Sequence, residues 1–508
     1  MSDFKVPLVA RGRVIEDYQD VYADRSAEGR TFVTPSVDKY INEVVCESAS
    51  ELGDLYQISF NDIVAFLAEL GTRLNLDKNP YWREAFEASC HSSNLSPSVL
   101  EAVYRTAPKM LQPDAVREVA EQRVGIDYLE GWVSTELNDG RTMQVRAIGS
   151  RALHIVAGNV PTVSVQTLLR SAITRSDTIV KAPSNDPLTM NAIARTMIDI
   201  DPKHPLTRHL TVAYWRGGDA AIEEKICQPR NLEKIIAWGG MASIRHIAKY
   251  VQPGLDLICM DPKTSITVIG REAFKDVETT QDVARRAASD MGTFEQEACS
   301  SARVIFIESG TDAAGLAKAK KFGELLFKSV QELPKRISAG PNKFDRNLKA
   351  EIEAISQQTQ FYTVITDPAR MEKTGAVIVS NLGEKVDFVE LLSGRVSNVI
   401  PIDDIEEALR YFNSSTQTVG LYPNSLISKL RDKAAIMGGQ RLVSLGYMTG
   451  AGVLAAPHDG LEVERRMVRW AVSVESDPAM TPGGWMHDDQ VAKVLEFSKQ
   501  RGVTKRAS

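Results

Sequence analysis

Cys299 lies in a polar segment, residues 293–303, at a junction between two predicted elements. The helical pattern before it stops at Gly292, and the apolar run 304–307 (Val-Ile-Phe-Ile) predicts a strand. A thiol at such a junction can face a cleft while the flanking elements hold it still. Because a thiolate is a strong nucleophile, this position favours covalent catalysis through sulfur.

The surroundings of Cys299 distinguish it from the other four cysteines. Cys259 stands in an apolar run and is predicted to be a buried core thiol, and the remaining three fall in helical patterns. Glu295 and Glu297 precede Cys299 closely. Carboxylates near a thiol raise its pKa and disfavour the thiolate, so we expect them to point away or one of them to accept a proton.

Three groups of loop residues follow predicted strands and could bind a ligand. An amide such as that of Asn159 can donate to a developing oxyanion, and a lysine at a strand end can bond a ribose or phosphate oxygen. Glycines at strand-to-helix junctions allow the close approach of a phosphate. Taken singly, each loop is better explained as an ordinary turn, or at Lys181 as a solvated lysine, than as a binding site. The residues are Asn159 in the segment 157–162, Lys181 and Ser184 in 181–184, Gly217 and Gly218 in 216–218, and Trp238, Gly239 and Gly240 in 238–240.

The elements that must position these residues alternate between strand and helix. Such alternation predicts βαβ units and a parallel sheet covered on both faces, with ligands at the carboxyl ends of its strands. The predicted strands are 153–156, 178–180, 210–214, 234–238 and 265–269, and the helices between and after them are 163–175, 188–199, 219–227, 243–251 and 281–291.

The two ends of the chain have different patterns. The first 122 residues are mostly helical in pattern, with helices expected over 36–52, 61–74, 96–106 and from Asp114 onward. Residues 132–148 then predict a β-hairpin that turns at 138–140 (Asn-Asp-Gly). After residue 450 the chain is rich in glycine and then predicts a helical stretch at 463–472.

Composition narrows the function classes. The 508 residues are 43% hydrophobic and 25% charged, which is typical of a globular protein of two or three domains. A net charge of -6 argues against a nucleic-acid or polybasic membrane partner. The beginning of the chain has no apolar signal core, and no run is long enough to cross a bilayer. Five scattered cysteines predict neither disulfides nor a metal site, and they favour the cytoplasm.

Taken in order, these segments resemble the LuxC-like acyl-CoA reductases, a family within the aldehyde dehydrogenase superfamily. The resemblance covers about residues 120–450 and also includes two segments of the tail. The segments that carry it are 158–162 (Gly-Asn-Val-Pro-Thr), 181–187 (Lys-Ala-Pro-Ser-Asn-Asp-Pro), 295–299 (Glu-Gln-Glu-Ala-Cys), 457–460 (Pro-His-Asp-Gly) and 468–470 (Val-Arg-Trp).

The resemblance implies an α/β fold of the aldehyde dehydrogenase type. It would have a Rossmann-type parallel-sheet domain for the cofactor and an α/β catalytic domain that carries the thiol. A helical N-terminal part and a β-hairpin oligomerisation arm would complete it. The corresponding boundaries are 1–122 for the helical region, 123–150 for the arm, 151–280 for the nicotinamide-cofactor domain, 281–449 for the catalytic domain and 450–508 for the C-terminal segment.

The resemblance also assigns roles to single residues. Cys299 would be the nucleophile, and Asn159 with the Cys299 backbone amide would form the oxyanion hole. Lys181 would contact the cofactor ribose, and the four glycines would lie near the phosphates. Glu297 and His458 are candidates for the acid or base that the reaction requires, and each also has a purely structural interpretation.

Two departures from the superfamily pattern bear on the chemistry. Hydrolytic aldehyde dehydrogenases carry a glutamate base in a Glu-Leu-Gly-Gly-Lys motif, whereas residues 259–263 here are Cys-Met-Asp-Pro-Lys. Hydrolysis of an acyl-enzyme requires a base that activates water, but exchange with another thiol does not. Ser184 replaces a glutamate found in many NAD-preferring relatives, which favours NADPH over NADH because a carboxylate would repel a 2′-phosphate.

We therefore predict a NADPH-dependent reductase that converts an acyl-CoA thioester to an aldehyde through a Cys299 acyl-enzyme and releases CoA. Three alternatives stay open: a hydrolytic NAD-dependent aldehyde dehydrogenase, an acyl-accepting subunit of a fatty acid reductase complex, and a catalytically silent scaffold. The resemblance further implies a homodimer or tetramer and the possibility of an acyl-transfer partner enzyme. The acyl chain length is not readable from the sequence.

Overall fold

A computed structural model describes residues 3–24, 29–137, 141–450, 454–475, 483–493 and 495–496. Its strands are β1 (Phe4–Lys5), β2 (Leu8–Ala10), β3 (Arg13–Ile15), β4 (Tyr18–Ala23), β5 (Thr31–Pro35), β6 (Val133–Glu136), β7 (Thr142–Ile148), β8 (Arg151–Ile155), β9 (Asp177–Lys181), β10 (Leu210–Ala213), β11 (Lys234–Trp238), β12 (Asp256–Met260), β13 (Thr264–Ile269), β14 (Ala302–Ile307), β15 (Tyr362–Thr366), β16 (Ala376–Ser380), β17 (Val396–Pro401), β18 (Thr416–Tyr422), β19 (Arg441–Ser444) and β20 (Arg469–Glu475).

The α-helices lie between these strands. They are α1 (Ile41–Val44), α2 (Phe60–Arg73), α3 (Pro80–Ser92), α4 (Pro97–Thr106), α5 (Pro113–Arg123), α6 (Ile126–Glu130), α7 (Thr162–Ile173), α8 (Thr189–Ile200), α9 (Pro205–Arg208), α10 (Ala220–Ile226), α11 (Met241–Ile247), α12 (Val277–Gly292), α13 (Ala313–Gln331), α14 (Arg346–Ser356), α15 (Met371–Thr374), α16 (Ser425–Ile436) and α17 (Val463–Met467). No described helix has both the length and the apolar character that spanning a bilayer requires.

The first large sheet has the strand order β12-β11-β8-β9-β10-β2-β3 among the described residues. Its first five strands are parallel, and β2 and β3 add an antiparallel edge. Successive side chains of β9 point to opposite faces: Val180 packs in one apolar core with residues of α7 and α8, and Ile179 in another with residues of α10 and α11. Helices thus cover both faces, as the alternating pattern predicted.

The second large sheet has the order β15-β16-β17-β14-β13-β18-β19 and is parallel except for β15. One of its cores includes residues of α12 and α13, and the other includes residues of α14 and α16. Strand β13 belongs to this sheet, although the sequence pattern placed residues 265–269 with the cofactor-binding segment. The chain crosses between the two sheets in the short segment that joins β12 to β13.

The helical pattern assigned to the first 122 residues begins later than expected. Residues before Ser36 form five strands, of which β2 and β3 extend the first sheet and the other three form a small sheet of their own. Helices α2 and α4 agree closely with the predicted spans, whereas α3 was missed and the predicted helix 36–52 contains only α1 and short 3₁₀ turns. The first strands escaped detection because their partner β10 lies about two hundred residues away in the chain.

A third sheet joins distant parts of the chain. β6 and β7 pair antiparallel, as the hairpin prediction required, while the turn 138–140 lies outside the described residues. The predicted helix 463–472 is corrected: α17 ends at Met467, and Arg469–Glu475 instead form β20, which pairs with β7 along its full length. Tertiary pairing with β7 overrides the local helical pattern.

A buried ion cluster connects the tail to the rest of the fold. The Glu464 carboxylate of α17 lies 2.9 Å from Nε of Arg170 in α7 and 3.3 Å from Nε of Arg123 in α5. All three side chains are almost fully buried. The helical region, the first sheet and the tail therefore meet at one point, and the segment just before α17 is held over the carboxyl ends of the strands.

Candidate active site

The Cys299 loop lies between α12 and β14, as predicted. Before the cysteine, Phe294, Glu295 and Gln296 all have positive φ angles, of 55°, 53° and 67°. Each left-handed residue other than glycine costs about 1–2 kcal/mol. Three such residues in succession require compensation from the surroundings, and the side chains of Glu295 and Gln296 provide it.

Glu295 points away from the thiol into a fully buried nest of donors. Its carboxylate accepts hydrogen bonds from the Ser96 and Ser338 hydroxyls at 2.8 and 2.9 Å and from the Ala339 and Gly340 amides at 2.8 and 3.0 Å. This contact joins the Cys299 loop to the N-terminal helical region, to which Ser96 belongs. The sequence pattern left the direction of this side chain open because the donors come from distant segments.

Gln296 fastens the same turn to β17. Its Nε2 donates to the carbonyls of Ala302 and Val396 at 2.9 and 2.8 Å, and its Oε1 accepts from the Val396 amide at 2.8 Å. The side chain is fully buried. The amide therefore replaces backbone pairing between the starts of β14 and β17, ahead of the first paired residues, Val304 and Asn398.

Asn159 and the Cys299 loop are in direct contact. Asn159 Nδ2 donates to the carbonyl of Glu297 at 3.0 Å, across the junction of the two large sheets. The preceding Gly158 is required there: a Cβ atom would lie 2.2 Å from Oδ1 of Asn185, whose Nδ2 donates to the Gly158 carbonyl. The structure thus brings the predicted oxyanion donor to within two residues of the predicted nucleophile.

The Cys299 thiol is half-buried, and burial is the main cause that raises its pKa. The carboxyl group of Asp459 raises the pKa further, whereas a hydrogen bond from Gln417 and the charges of Arg441 and Arg303 lower it. The main causes of this shift do not include Glu295 or Glu297. The carboxylate with the largest effect on the thiol pKa is that of Asp459, in the tail. Asp459 was not among the site residues predicted from the sequence.

The two acid or base candidates occupy different places. The Glu297 carboxylate accepts from Asn94 Nδ2 at 3.1 Å, and burial raises its pKa. The His458 ring packs edge-on against Trp238 with centroids 4.9 Å apart. Burial, together with the charges of Arg170, Arg123 and Arg441, lowers the pKa of His458 well below its ordinary value, so this histidine is neutral. It is not among the groups that shift the Cys299 pKa.

The residues predicted to bind the cofactor follow β9, β10 and β11, at the carboxyl ends of these parallel strands of the first sheet. Lys181 Nζ lies 5.5 Å from the ring centroids of Tyr214 and of Trp215, at the end of β10. Ser184 follows three residues later and is half-buried. Trp238 lies beneath the Arg170 guanidinium and beside His458, and therefore on the side of the tail.

Three of the four glycines, at 217, 218 and 240, leave open space above the strand ends. A Cβ atom at Gly217 or Gly240 would have no neighbour within 4 Å, and one at Gly218 would have only His246 at 4.0 Å. At Gly239 it would meet Ser243 at 3.1 Å. Protein packing therefore does not explain the glycines at 217 and 240, which is the property expected of a cradle for a bound phosphate.

Glu223 organises this loop and was missed from the sequence. Its buried carboxylate accepts from the Gly218 amide and the Tyr250 hydroxyl, both at 3.1 Å, and lies 2.5 Å from His246 Nε2. A single glutamate in an amphipathic helix carries no signal that distinguishes it from a solvated one. Its role emerges only when α10 packs beneath the loop after β10.

The segment 259–263, which the resemblance aligns with the superfamily's glutamate motif, begins at the end of β12 and holds other groups. Cys259 is half-buried, and burial and the charge of Asp261 raise its pKa. Asp261 forms an ion pair with Lys263 at 3.0 Å. Across the described residues, no three or more His, Cys, Asp or Glu side chains are grouped to hold a metal ion.

A family model described as acyl-CoA reductase (LuxC) matches residues 55–470 of this chain. The chain belongs to the LuxC acyl-CoA reductase family. A long-chain acyl-protein thioester reductase of Photorhabdus laumondii is 31% identical over 63% of the chain and 63% of its own length. The proteins of the same description from Aliivibrio fischeri and Vibrio harveyi are 28% and 26% identical, and each match covers 92% of both chains.

Solved structures show that this LuxC family member has the aldehyde dehydrogenase fold. Aldehyde dehydrogenase 21 of Physcomitrella patens has a TM-score of 0.70 at 11% identity, covering 95% of this chain and all of its own. An NADP-dependent glyceraldehyde-3-phosphate dehydrogenase of Bacillus halodurans has a TM-score of 0.70 at 12% identity, covering 93% and 99%. The fold class and the family inferred from the sequence are both confirmed.

Proposed function

We propose that this protein reduces an acyl-CoA thioester to the aldehyde with NADPH, through an acyl-enzyme on Cys299. Family membership and fold support the broader description, an oxidoreductase that converts an acyl thioester to an aldehyde. The observation that carries the proposal is the contact between the Asn159 amide and the Cys299 loop at the junction of the two sheets.

In the first step the Cys299 sulfur attacks the thioester carbon, a new carbon–sulfur bond forms, and the carbon–sulfur bond to CoA breaks. One thioester is exchanged for another, so little free energy is lost. The Asn159 amide can turn from the Glu297 carbonyl to the developing oxyanion, together with the Cys299 backbone amide. Because the turn at 294–296 is fixed on two sides, the sulfur is held in place before the substrate arrives.

The end of β12 favours thiol exchange over hydrolysis. A hydrolytic enzyme requires a carboxylate that activates water near the acyl-enzyme. Cys259 stands where the superfamily motif has glutamate, and the neighbouring Asp261 is paired with Lys263. This difference is our argument against the hydrolytic aldehyde dehydrogenase.

The residues at the carboxyl ends of β9, β10 and β11 fit a nicotinamide dinucleotide. Lys181 would bind the ribose, and the open space at Gly217 and Gly240 would receive the phosphates. When bound, the cofactor supplies the hydride that reduces the acyl group. We propose NADPH for two reasons. Ser184 places no carboxylate against a 2′-phosphate. Lys181 and Ala213 are paired on adjacent strands, and Arg216 follows Ala213 by as many residues as Ser184 follows Lys181, so its positive charge comes after the neighbouring strand end.

The acyl donor has a second candidate. The relatives of this chain are described as reductases of long-chain acyl-protein thioesters. An acyl group carried on a partner protein would reach Cys299 by the same exchange of thioesters. The chemistry at sulfur does not distinguish the donors, and an experiment must.

The test is to mix the purified protein with NADPH and a panel of acyl-CoAs, and to follow the loss of nicotinamide absorbance. We expect oxidation that depends on acyl-CoA, vanishes in Cys299→Ala and persists in Cys90→Ala, whose cysteine lies in α3. Turnover only with an acylated protein would assign the donor to a partner. Oxidation of aldehydes with NAD in the absence of a thiol acceptor would contradict the proposal.

A further inference from the structure

The side chain of Asn185 holds the backbone from which Asn159 extends. Its Nδ2 donates a hydrogen bond to the Gly158 carbonyl at 2.7 Å. The contact is close, because a Cβ atom on Gly158 would lie 2.2 Å from Oδ1 and 2.8 Å from Cγ of Asn185. The Gly158 carbonyl and the Asn159 nitrogen belong to one planar peptide group. By holding this oxygen, Asn185 therefore fixes the peptide plane next to the Asn159 side chain.

The Asn159 side chain has one hydrogen bond of its own. Its Nδ2 donates to the Glu297 carbonyl at 3.0 Å, whereas its Oδ1 is buried and has no partner among the described residues. In the proposed mechanism Nδ2 leaves this carbonyl for the developing oxyanion. The position of the amide then depends on the backbone of its loop. A displacement of about 1 Å in a reacting group can cost about 10²-fold in rate.

Asn185 is held in turn by helices of the N-terminal region. The Ser92 hydroxyl at the end of α3 donates to the Asn185 carbonyl at 2.6 Å. The next residue, Asp186, is buried and accepts from the amide and the hydroxyl of Thr189 at 3.1 and 2.5 Å. The Tyr104 hydroxyl of α4 lies 2.5 Å from the Thr189 hydroxyl. The backbone around Asn185 is thus fixed from outside the first sheet.

We propose that Asn185 is a positioning residue of the reaction, which holds the Gly158–Asn159 peptide so that the Asn159 amide meets the oxyanion formed at Cys299. The inference rests on the proposed function, in which Cys299 is the nucleophile and Asn159 the oxyanion donor. Asn185 acts through Asn159 and is assigned no contact with the reacting atoms. Because Asn185 directly follows Ser184, it also joins the proposed cofactor segment to the oxyanion loop.

The test is the acylation of Cys299 by p-nitrophenyl acetate in the full-length protein, with Cys299→Ala as the blank. The sulfur attacks the ester carbon and an oxyanion forms. The carbon–oxygen bond then breaks, p-nitrophenolate leaves with the electron pair, and the acetyl group stays on sulfur. The burst of p-nitrophenolate gives the rate of acylation. This reaction requires neither CoA nor a nicotinamide cofactor.

Two substitutions remove the donor in different ways. Asn185→Asp keeps the shape but sets a carboxylate oxygen against the Gly158 carbonyl, and Asn185→Ala removes the amide without adding charge. We expect each to slow the burst about 10- to 100-fold. In the Asn159→Ala background the same substitutions should change the rate less than about twofold, because residues that act through one another are not additive. Alkylation of Cys299 by iodoacetamide, which forms no oxyanion, should stay within about twofold in every variant.

Asn231→Asp is the matched control. Asn231 Nδ2 also donates to a backbone carbonyl at 2.7 Å, that of Lys225, and its substitution should leave the burst unchanged. An unchanged burst in both Asn185 variants, a further loss of the same size in the Asn159→Ala background, or a parallel loss of alkylation would overturn the proposal. A normal burst in a protein that reduces no acyl-CoA would contradict the proposed function and leave this test intact. A burst no larger than the blank would contradict both.

Discussion

At the scale of single residues, the proposed mechanism separates the formation of the nucleophile from the stabilisation of the oxyanion. Gln417, Arg441 and Arg303 favour the thiolate, while the Asn159 amide approaches from the other sheet. The two tasks thus come from different parts of the chain. A change in one should leave the other intact.

This separation leads to a prediction for Asn159→Ala. The variant should lose acyl-CoA reduction by about 10²- to 10³-fold, the usual effect of removing one oxyanion donor. Alkylation of Cys299 should change little, because Asn159 is not among the groups that shift its pKa. Steady-state kinetics and alkylation rates on the same preparation check both parts. A parallel loss of alkylation would mean that Asn159 only positions the loop.

At the scale of elements, the left-handed turn before Cys299 depends on Glu295. Its carboxylate oxygens each accept one hydroxyl and one backbone amide. Glu295→Gln places an NH₂ group against one of these amides, which leaves two buried donors facing each other. We expect a loss of about 2 to 3 kcal/mol in the free energy of unfolding, the cost of an unsatisfied buried group and a lost charged acceptor.

Glu297→Gln is the matched comparison for this element. The structure gives its carboxylate one hydrogen bond, from the exposed side-chain amide of Asn94, and no backbone donor. The same substitution two residues away should therefore cost less than about 1 kcal/mol. Urea unfolding of both variants, followed by tryptophan fluorescence, measures the difference. Equal losses in both would refute the assignment of the turn's stability to Glu295.

The sequence carried information on this element only in part. The spacing of apolar residues located the helix before Cys299 and the strand after it, because both elements are long enough for that spacing to repeat. The left-handed turn has no local signal, because Phe294, Glu295 and Gln296 are not residues that favour positive φ. Their partners lie in β17, in the N-terminal region and in the segment between α13 and α14. For the same reason the hydrogen bond from Gln417 to Asp459 could not be predicted from their spacing, since 42 residues separate them.

At the scale of the whole molecule, residues distant in sequence complete the third sheet. β20 from the tail pairs with β7, which lies just before β8 in the chain, and so becomes an edge of the order β20-β7-β6. The resemblance to the superfamily implies that this hairpin is an oligomerisation arm. An edge strand with exposed apolar side chains invites pairing with another chain.

Val472 and Val474 make this idea testable, since they are 57% and 43% exposed on β20. We propose that the arm joins copies of this chain. The unaltered protein should then have a mass greater than that of one protomer by light scattering. The double variant Val472→Lys, Val474→Lys should have the mass of a single protomer. Lysine on an edge strand disfavours pairing through charge. Val21→Lys is the matched control, because Val21 is 60% exposed on β4 of the other small sheet and should leave the mass unchanged. A protomeric mass for the unaltered protein, or an unchanged oligomer in the double variant, would exclude β20 as the joining edge.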